Sequence, residues 1–230
     1  MTRKHERPDI DIKRNPVERF LMRSKDYILK NRTFVIAGSI FVLLSVVILV
    51  VSVVIFDRTT GNQRAELEKL NEKFQNYVRE NRIENARGVI PEIISLADSS
   101  LFGFANRMGY YYAGNYYYIL GDYEEARETL KSFVKRAEKN VFWELAYFKV
   151  GVIYEDAGEL EKALEVYREI ARNYRHGVML DQLYFYTGNV YSGLKDYNNA
   201  EFYYNRVIND FSGSPYADKA RQRIFLLGSG

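Results

Sequence analysis

The chain has 230 residues with 15 Gly, 4 Pro and no Cys. That is enough for one sizeable domain with extensions, and it excludes disulfides, thiol nucleophiles and thiolate metal sites. Its two histidines, His5 and His176, sit at opposite ends, so the usual catalytic and zinc constellations have no raw material. The net charge of +3 divides unevenly: residues 1–33 carry ten Lys/Arg against five acids, and the remainder is slightly acidic. A basic footprint for nucleic acid is therefore not expected on the folded part.

Residues 1–33 read as a basic cytoplasmic arm. Positions 1–15 are polar, carry Pro8, end just before Pro16, and are expected to be irregular. Positions 17–32 are expected to form a helix with Val17, Phe20, Leu21, Tyr27 and Ile28 roughly on one side. Two readings are open for it: a helix lying on an anionic lipid surface, or the ordinary positive flank of an anchor.

Residues 34–56 contain no charge, Asn, Gln, His or Pro over 23 positions. As a helix they would run about 34 Å, enough to cross a bilayer core of ~30 Å. The run exits through Val54-Ile55-Phe56-Asp57-Arg58 without a small-x-small cleavage site, which favours an uncleaved transmembrane anchor over a signal peptide. Ten basic residues precede it and four follow in 57–76 (Arg58, Arg64, Lys69 and Lys73). The N-terminus is thus expected in the cytoplasm and the remainder on the exported side. Gly38, Ser45 and Ser52 recur every seven residues, near one helix face. They form a packing seam for another membrane helix, or are small residues tolerated in lipid.

Beyond the span the chain repeats. Tyr110, Gly114, Tyr117 and Ala126 return 37 residues later as Tyr147, Gly151, Tyr154 and Ala163, and again as Tyr184, Gly188, Tyr191 and Ala200. The spacing predicts pairs of helices, with an aromatic stripe on the first. Gly opens room for the second helix, where the small Ala is expected to meet the Gly face. Residues 57–98 read as a linker helix and a degenerate first repeat (62–98), with Leu70, Tyr77, Ala86, Ile90 and Ile93 on the template and Phe74 in the Gly position. This segment is expected to follow straight from the membrane helix, and Pro91 is expected to kink or interrupt its second helix. Residues 99–213 hold the three clear repeats. Residues 214–230 read as a capping helix with Ser214 as N-cap and Pro215 at its first position, ending in a Gly-Ser-Gly that is native or appended.

The strings GDYEEA, GELEKA and KDYNNA, with the 37-residue register, resemble the tetratricopeptide repeat family over about 105–212. The resemblance implies an all-α fold, a solenoid of about three clear repeats, one degenerate repeat and one cap. It also implies a concave surface lined by Tyr111, Asn115 and Tyr118, then Phe148, Val152 and Glu155, then Phe185, Asn189 and Ser192. Tyr111, Phe148 and Phe185 would form an aromatic ladder. Three readings stand for it: a partner-binding groove, a groove filled by the chain's own terminal helices, or inter-repeat packing. Tyr110 and Tyr117 are expected in the core, Tyr123 packed between helices, and Tyr112 and Tyr116 facing neighbouring helices. The carboxylate-clamping sub-type is not implied, because its cationic positions hold Tyr111, Gln182 and Tyr186, and Asn115 alone matches.

A short cytoplasmic arm, one span and exported repeats look like the YfgM-like family, which implies an ancillary subunit of the Sec translocon that works with periplasmic chaperones. The stretch DFSGSPYADKA (210–220) resembles the terminal repeats of BamD-like and CpoB-like envelope proteins. The implied protein is a periplasmic adaptor in a bacterial inner membrane whose partners are proteins or peptides, membrane helices of a translocon or envelope complex, and the lipid bilayer. The alternative is a structural subunit of a large envelope complex, such as a flagellar-motor scaffold or secretion apparatus. No catalytic residue, metal site or cofactor is expected, because the acidic residues lie on solvated helix faces with no nucleophile beside them.

Overall fold

The computed structural model describes residues 16–100, 102–173 and 179–228. The arm over 1–15, His5, His176 and the final Ser229-Gly230 lie outside the described residues. Among the described residues the chain is all-helical. The helices are α1 (Pro16–Lys30), α2 (Arg32–Arg79), α3 (Ile83–Ser99), α4 (Phe104–Leu120), α5 (Tyr123–Arg136), α6 (Val141–Asp156), α7 (Leu160–Asn173), α8 (Leu180–Gly193), α9 (Tyr197–Asp210) and α10 (Pro215–Gly228). They divide into two units, residues 1–56 and 57–230.

In the first unit, the apolar part of α2 leaves its large side chains from Phe34 to Phe56 exposed. With a mean hydropathy of 3.2 over its most apolar 18 residues, α2 is the one helix among the described residues long and apolar enough to cross a membrane. Phe20, Leu21, Tyr27 and Ile28 of α1 are exposed as well.

The second unit stacks antiparallel helix pairs: residues 57–79 of α2 with α3, then α4/α5, α6/α7 and α8/α9. Each pair turns by the same device. Asn81, Gly121, Gly158 and Lys195 take left-handed backbone conformations, with φ of 57°, 81°, 75° and 61°. The following amide donates to the carbonyl of a tyrosine five residues back: Arg82 to Tyr77, Asp122 to Tyr117, Glu159 to Tyr154 and Asp196 to Tyr191, at 2.8–2.9 Å. This is the Schellman closure of a helix C-terminus. It satisfies carbonyls that the helix end leaves open. The first pair closes as the clear repeats do.

Packing inside each pair corrects one sequence expectation. A Cβ on Gly114 would lie 2.6 Å from Leu130, one on Gly151 would lie 2.3 Å from Tyr167, and one on Gly188 would lie 2.6 Å from Tyr204. The Gly face thus receives the large residue one helical turn after the alanine. Ala126, Ala163 and Ala200 are fully buried at the preceding position. In the first pair Phe74 stands in the Gly position and stacks on Tyr116 of α4, in the next pair, with ring centroids 3.9 Å apart and 8° between planes. At Pro91 the interruption, one of the two expected outcomes, does not occur: α3 runs on through it. The proline is exposed, and its lost N–H removes one ladder bond without ending the helix.

Side chains hold several helix starts, among them those of α4 and α10. Buried Gln63 of α2 donates to the Phe102 carbonyl at 3.0 Å and accepts from the Ala105 amide at 3.4 Å, holding the start of α4. Ser214 Oγ accepts from the Tyr216 amide at 3.1 Å and starts α10. Helix α10 packs on α8 and α9. Its Tyr216 stands 37 residues after Met179 and 74 after Phe142. It is in effect the first helix of a further repeat, closing the apolar end of the array as such solenoids require.

Candidate partner-binding groove

The first helices of the three clear repeats, α4, α6 and α8, meet around a depression of about 250 Å³. Of the nine residues placed on the concave face by the sequence, Tyr111, Asn115, Tyr118, Phe148 and Val152 line it. Leu145, Lys149, Met179, Gln182 and Tyr186 complete it. Glu155, Phe185, Asn189 and Ser192 lie outside this depression.

The three ladder aromatics differ in exposure. Tyr111 is half-buried, whereas Phe148 and Phe185 are each only 6% exposed. Each is met by a residue of the next repeat. Tyr111 lies edge-on to Phe142 at 5.5 Å, Phe148 edge-on to Tyr186 at 5.2 Å, and Phe185 tilts against Tyr216 of the cap at 5.3 Å. Such ring pairs stabilise the repeat interfaces beyond their buried area. Phe148 contributes an edge to the groove wall, and the cap helix covers Phe185.

The polar side chains of the groove are tied to one another. Asn115 donates from Nδ2 to the Tyr111 carbonyl at 2.6 Å and accepts on Oδ1 from Lys149 Nζ at 2.6 Å. The Lys149 ammonium also stands 4.5 Å from the centre of the Tyr118 ring. Burial holds the Lys149 amine below its usual range. Towards the end of α6, the Tyr167 hydroxyl donates to Glu155 at 3.0 Å, and the Tyr204 hydroxyl donates to Asn189 at 2.9 Å. Burial pushes the Glu155 carboxyl up to about 7, while hydrogen bonds from Tyr167 and Asn189 pull the other way. Ser192 is half-buried beside the α8 terminus, where its carbonyl accepts from Lys195.

The tyrosines of 109–123 sort as follows. Tyr116 is buried and donates to Asn71 of the neighbouring α2, whereas Tyr112 meets Tyr111 and Tyr116 of its own helix edge-on. Tyr110 and Tyr117 pack on the core but are only half-buried. The Tyr110 hydroxyl reaches Asp98 at 2.8 Å, and Arg136 covers its ring. Tyr123 departs from expectation: it is 53% exposed and touches Tyr118 edge-on at 5.3 Å. As the first residue of α5 it stands at the rim, outside the helix–helix seam.

In the apolar helix, Ser45 and Ser52 share one shallow depression, and Gly38 lines another. The Ser45 hydroxyl bonds its own helix, to the Phe41 carbonyl at 2.9 Å. Lys149, Leu145 and Met179 were not singled out by the sequence. Lys149 shares its register with Tyr112 and Tyr186, so the repeat pattern assigns that position to an aromatic and conceals a lone cation.

The groove offers apolar walls, tyrosine hydroxyls, two side-chain amides and one ammonium. No cluster of metal-ligating side chains occurs among the described residues. Such a surface suits recognition of an extended polypeptide.

The tetratricopeptide repeat family matches residues 109–139 and 145–176, and a second profile of that family matches 182–209. No curated protein matches the chain significantly. Among solved structures the chain is similar to MamA, at 19% identity and a TM-score of 0.52 over 66% of this chain and 81% of that one. It is also similar to a tetratricopeptide repeat protein from Parabacteroides merdae, at 21% identity and a TM-score of 0.53, covering 67% of this chain but only 57% of that protein. A third is BtubC from P. vanneervenii, at 14% identity and a TM-score of 0.56 over 69% and 72% of the two chains. At these identities the likeness is one of fold. Repeat register, shared turn closure and family matches together make residues 109–209 an array of tetratricopeptide repeats within an all-helical solenoid.

Proposed function

We propose that this protein is a membrane-tethered, non-catalytic scaffold that holds a segment of another protein in the groove between α4, α6 and α8. The observation that carries the reading is the depression itself. It joins the first helices of three repeats and combines apolar and aromatic walls with the polar side chains of Asn115, Lys149 and Gln182. In this reading residues 1–33 are cytoplasmic, 34–56 span the inner membrane of a bacterium, and 57–230 lie in the periplasm. The excess of Lys/Arg before the span supports that orientation. The resemblance to YfgM-like proteins supports an adaptor role near the Sec translocon with periplasmic chaperones.

The test is photo-crosslinking in cells, with the reactive residue at Val152 in the groove and at Ser45 in the span. Translocon subunits from Ser45, together with several exported proteins or chaperones from Val152, would support the adaptor. One stoichiometric neighbour from both positions would replace it with a permanent subunit of an envelope complex. Self-adducts alone from Val152 would mean that the groove is filled by this chain or a second copy.

A further inference from the structure

Lys149 is the one cation lining the depression. Several other basic side chains of the array pair with acids: Arg87 meets Asp122 at 2.8 Å, Arg127 meets Glu159 at 3.0 Å and Lys131 meets Glu128 at 3.0 Å. Lys149 has no carboxylate within ion-pair distance among the described residues. Its partners are a neutral amide oxygen, Asn115 Oδ1 at 2.6 Å, and the face of Tyr118. An ammonium carries three donors, and Asn115 accepts one. A cation drawn partly out of water among neutral groups gains when an anion enters beside it. The walls around it, Leu145, Phe148, Val152 and Met179, are apolar.

We propose that the groove recognises an acidic side chain, Asp or Glu, flanked by an apolar or aromatic residue within an extended segment of a partner protein. Lys149 pairs with the carboxylate, Asn115 holds the ammonium in place, and the Phe148, Val152 and Met179 wall takes the neighbouring apolar side chain. The inference rests on the groove reading above. The depression is flanked by repeat helices on both sides, which suits a segment passing across it rather than a chain end. Lys149 is the one cation in the lining, so a single carboxylate is the pattern it fits.

The experiment uses the full chain in lipid nanodiscs and fluorescence anisotropy. Three fluorescein-labelled probes share the core Ser-Phe-X-Leu-Phe-Ser. In the first X is Asp with an amidated end, in the second X is Asn with an amidated end, and in the third X is Asn with a free C-terminal carboxylate. The Asp probe is expected to bind about tenfold tighter than the amidated Asn probe, with the gap shrinking as salt rises. Lys149→Met should erase the gap and Lys149→Arg should keep it, with thermal melts confirming that both variants are folded. Equal binding of the two amidated probes would overturn the carboxylate assignment and leave the groove reading standing. Tighter binding of only the free-carboxylate probe would replace the acidic side chain with a chain terminus. Binding of none of the three at millimolar concentration would overturn both readings.

Discussion

The ring of Tyr167 occupies the place where a side chain on Gly151 would stand: a Cβ there would fall 2.3 Å from Cε1 of the ring. Tyr167 is 1% exposed and bonded through its hydroxyl to Glu155, so the ring has nowhere to retreat. Gly151→Ala should destabilise the protein by about 1–3 kcal/mol, because overpacking outweighs the gain of up to ~1 kcal/mol in helix propensity. Gly88 of α3 is the control, since it is exposed with nothing within 4 Å of its Cβ position. Gly88→Ala should stabilise by about 0.5–1 kcal/mol. Thermal melts of both variants check the pair of opposite signs.

The third clear repeat closes its hairpin with Lys195 at φ 61°, where the two before it use glycine. A left-handed non-glycine residue costs about 1 kcal/mol, part of which glycine's own entropy offsets. Lys195→Gly should raise stability by about 0.5 kcal/mol, read as a shift in urea midpoint at unchanged slope.

Glu155 sets a pH dependence. Its carboxyl is raised from 4.5 to about 7, first by burial. The folded state therefore holds its proton where the unfolded chain has lost it. Stability from this group is complete below about pH 4.5 and falls as pH rises through about 7. Glu155→Gln should remove that loss, worth about 1–3 kcal/mol at pH 8 with allowance for its remaining contact with solvent. Urea unfolding of both proteins at pH 4.5 and pH 8 checks it: the variant should gain on the wild type only at the higher pH.

Two repeat interfaces share a charged link from the second helix of one pair to the turn of the next. Arg87 Nε and Nη2 reach Asp122 at 2.8 and 3.0 Å, and Arg127 reaches Glu159 at 3.0 Å. Leu164 stands where a third arginine would fall. Asp122→Asn should lower the melting temperature at low salt, and the difference should shrink towards 1 M salt as screening removes what the pair contributes.

Most of the fold is legible in the sequence because the 37-residue register is written in residues with one structural task each: glycines at close approach, tyrosines at the helix ends, small residues at the helix–helix seam. The register places Ala126, Ala163 and Ala200 correctly in the core. It does not reveal what meets the glycines, since Leu130, Tyr167 and Tyr204 differ in type. The groove is less legible. Helical spacing assigns a face but not a depth, so Phe148 and Phe185 read as groove anchors although neighbouring repeats and the cap bury them. Lys149 stands out only once the neutrality of its surroundings is seen.

The absence of cysteine makes topology directly testable. In intact spheroplasts, a membrane-impermeant maleimide should label Ser95→Cys and spare Ser24→Cys until the membrane is permeabilised. The reverse pattern would place the repeats in the cytoplasm.

The face made by α4, α6 and α8 is the proposed seat of the partner. The most direct measurement is quantitative recovery of crosslinked partners with two variants of matched stability. Val152→Glu puts a charge in the groove, and Glu201→Lys changes an exposed residue of α9. Val152→Glu should lose partner recovery about tenfold or more and Glu201→Lys should keep it. Equal recovery from both would contradict the groove and move the partner surface elsewhere on the array.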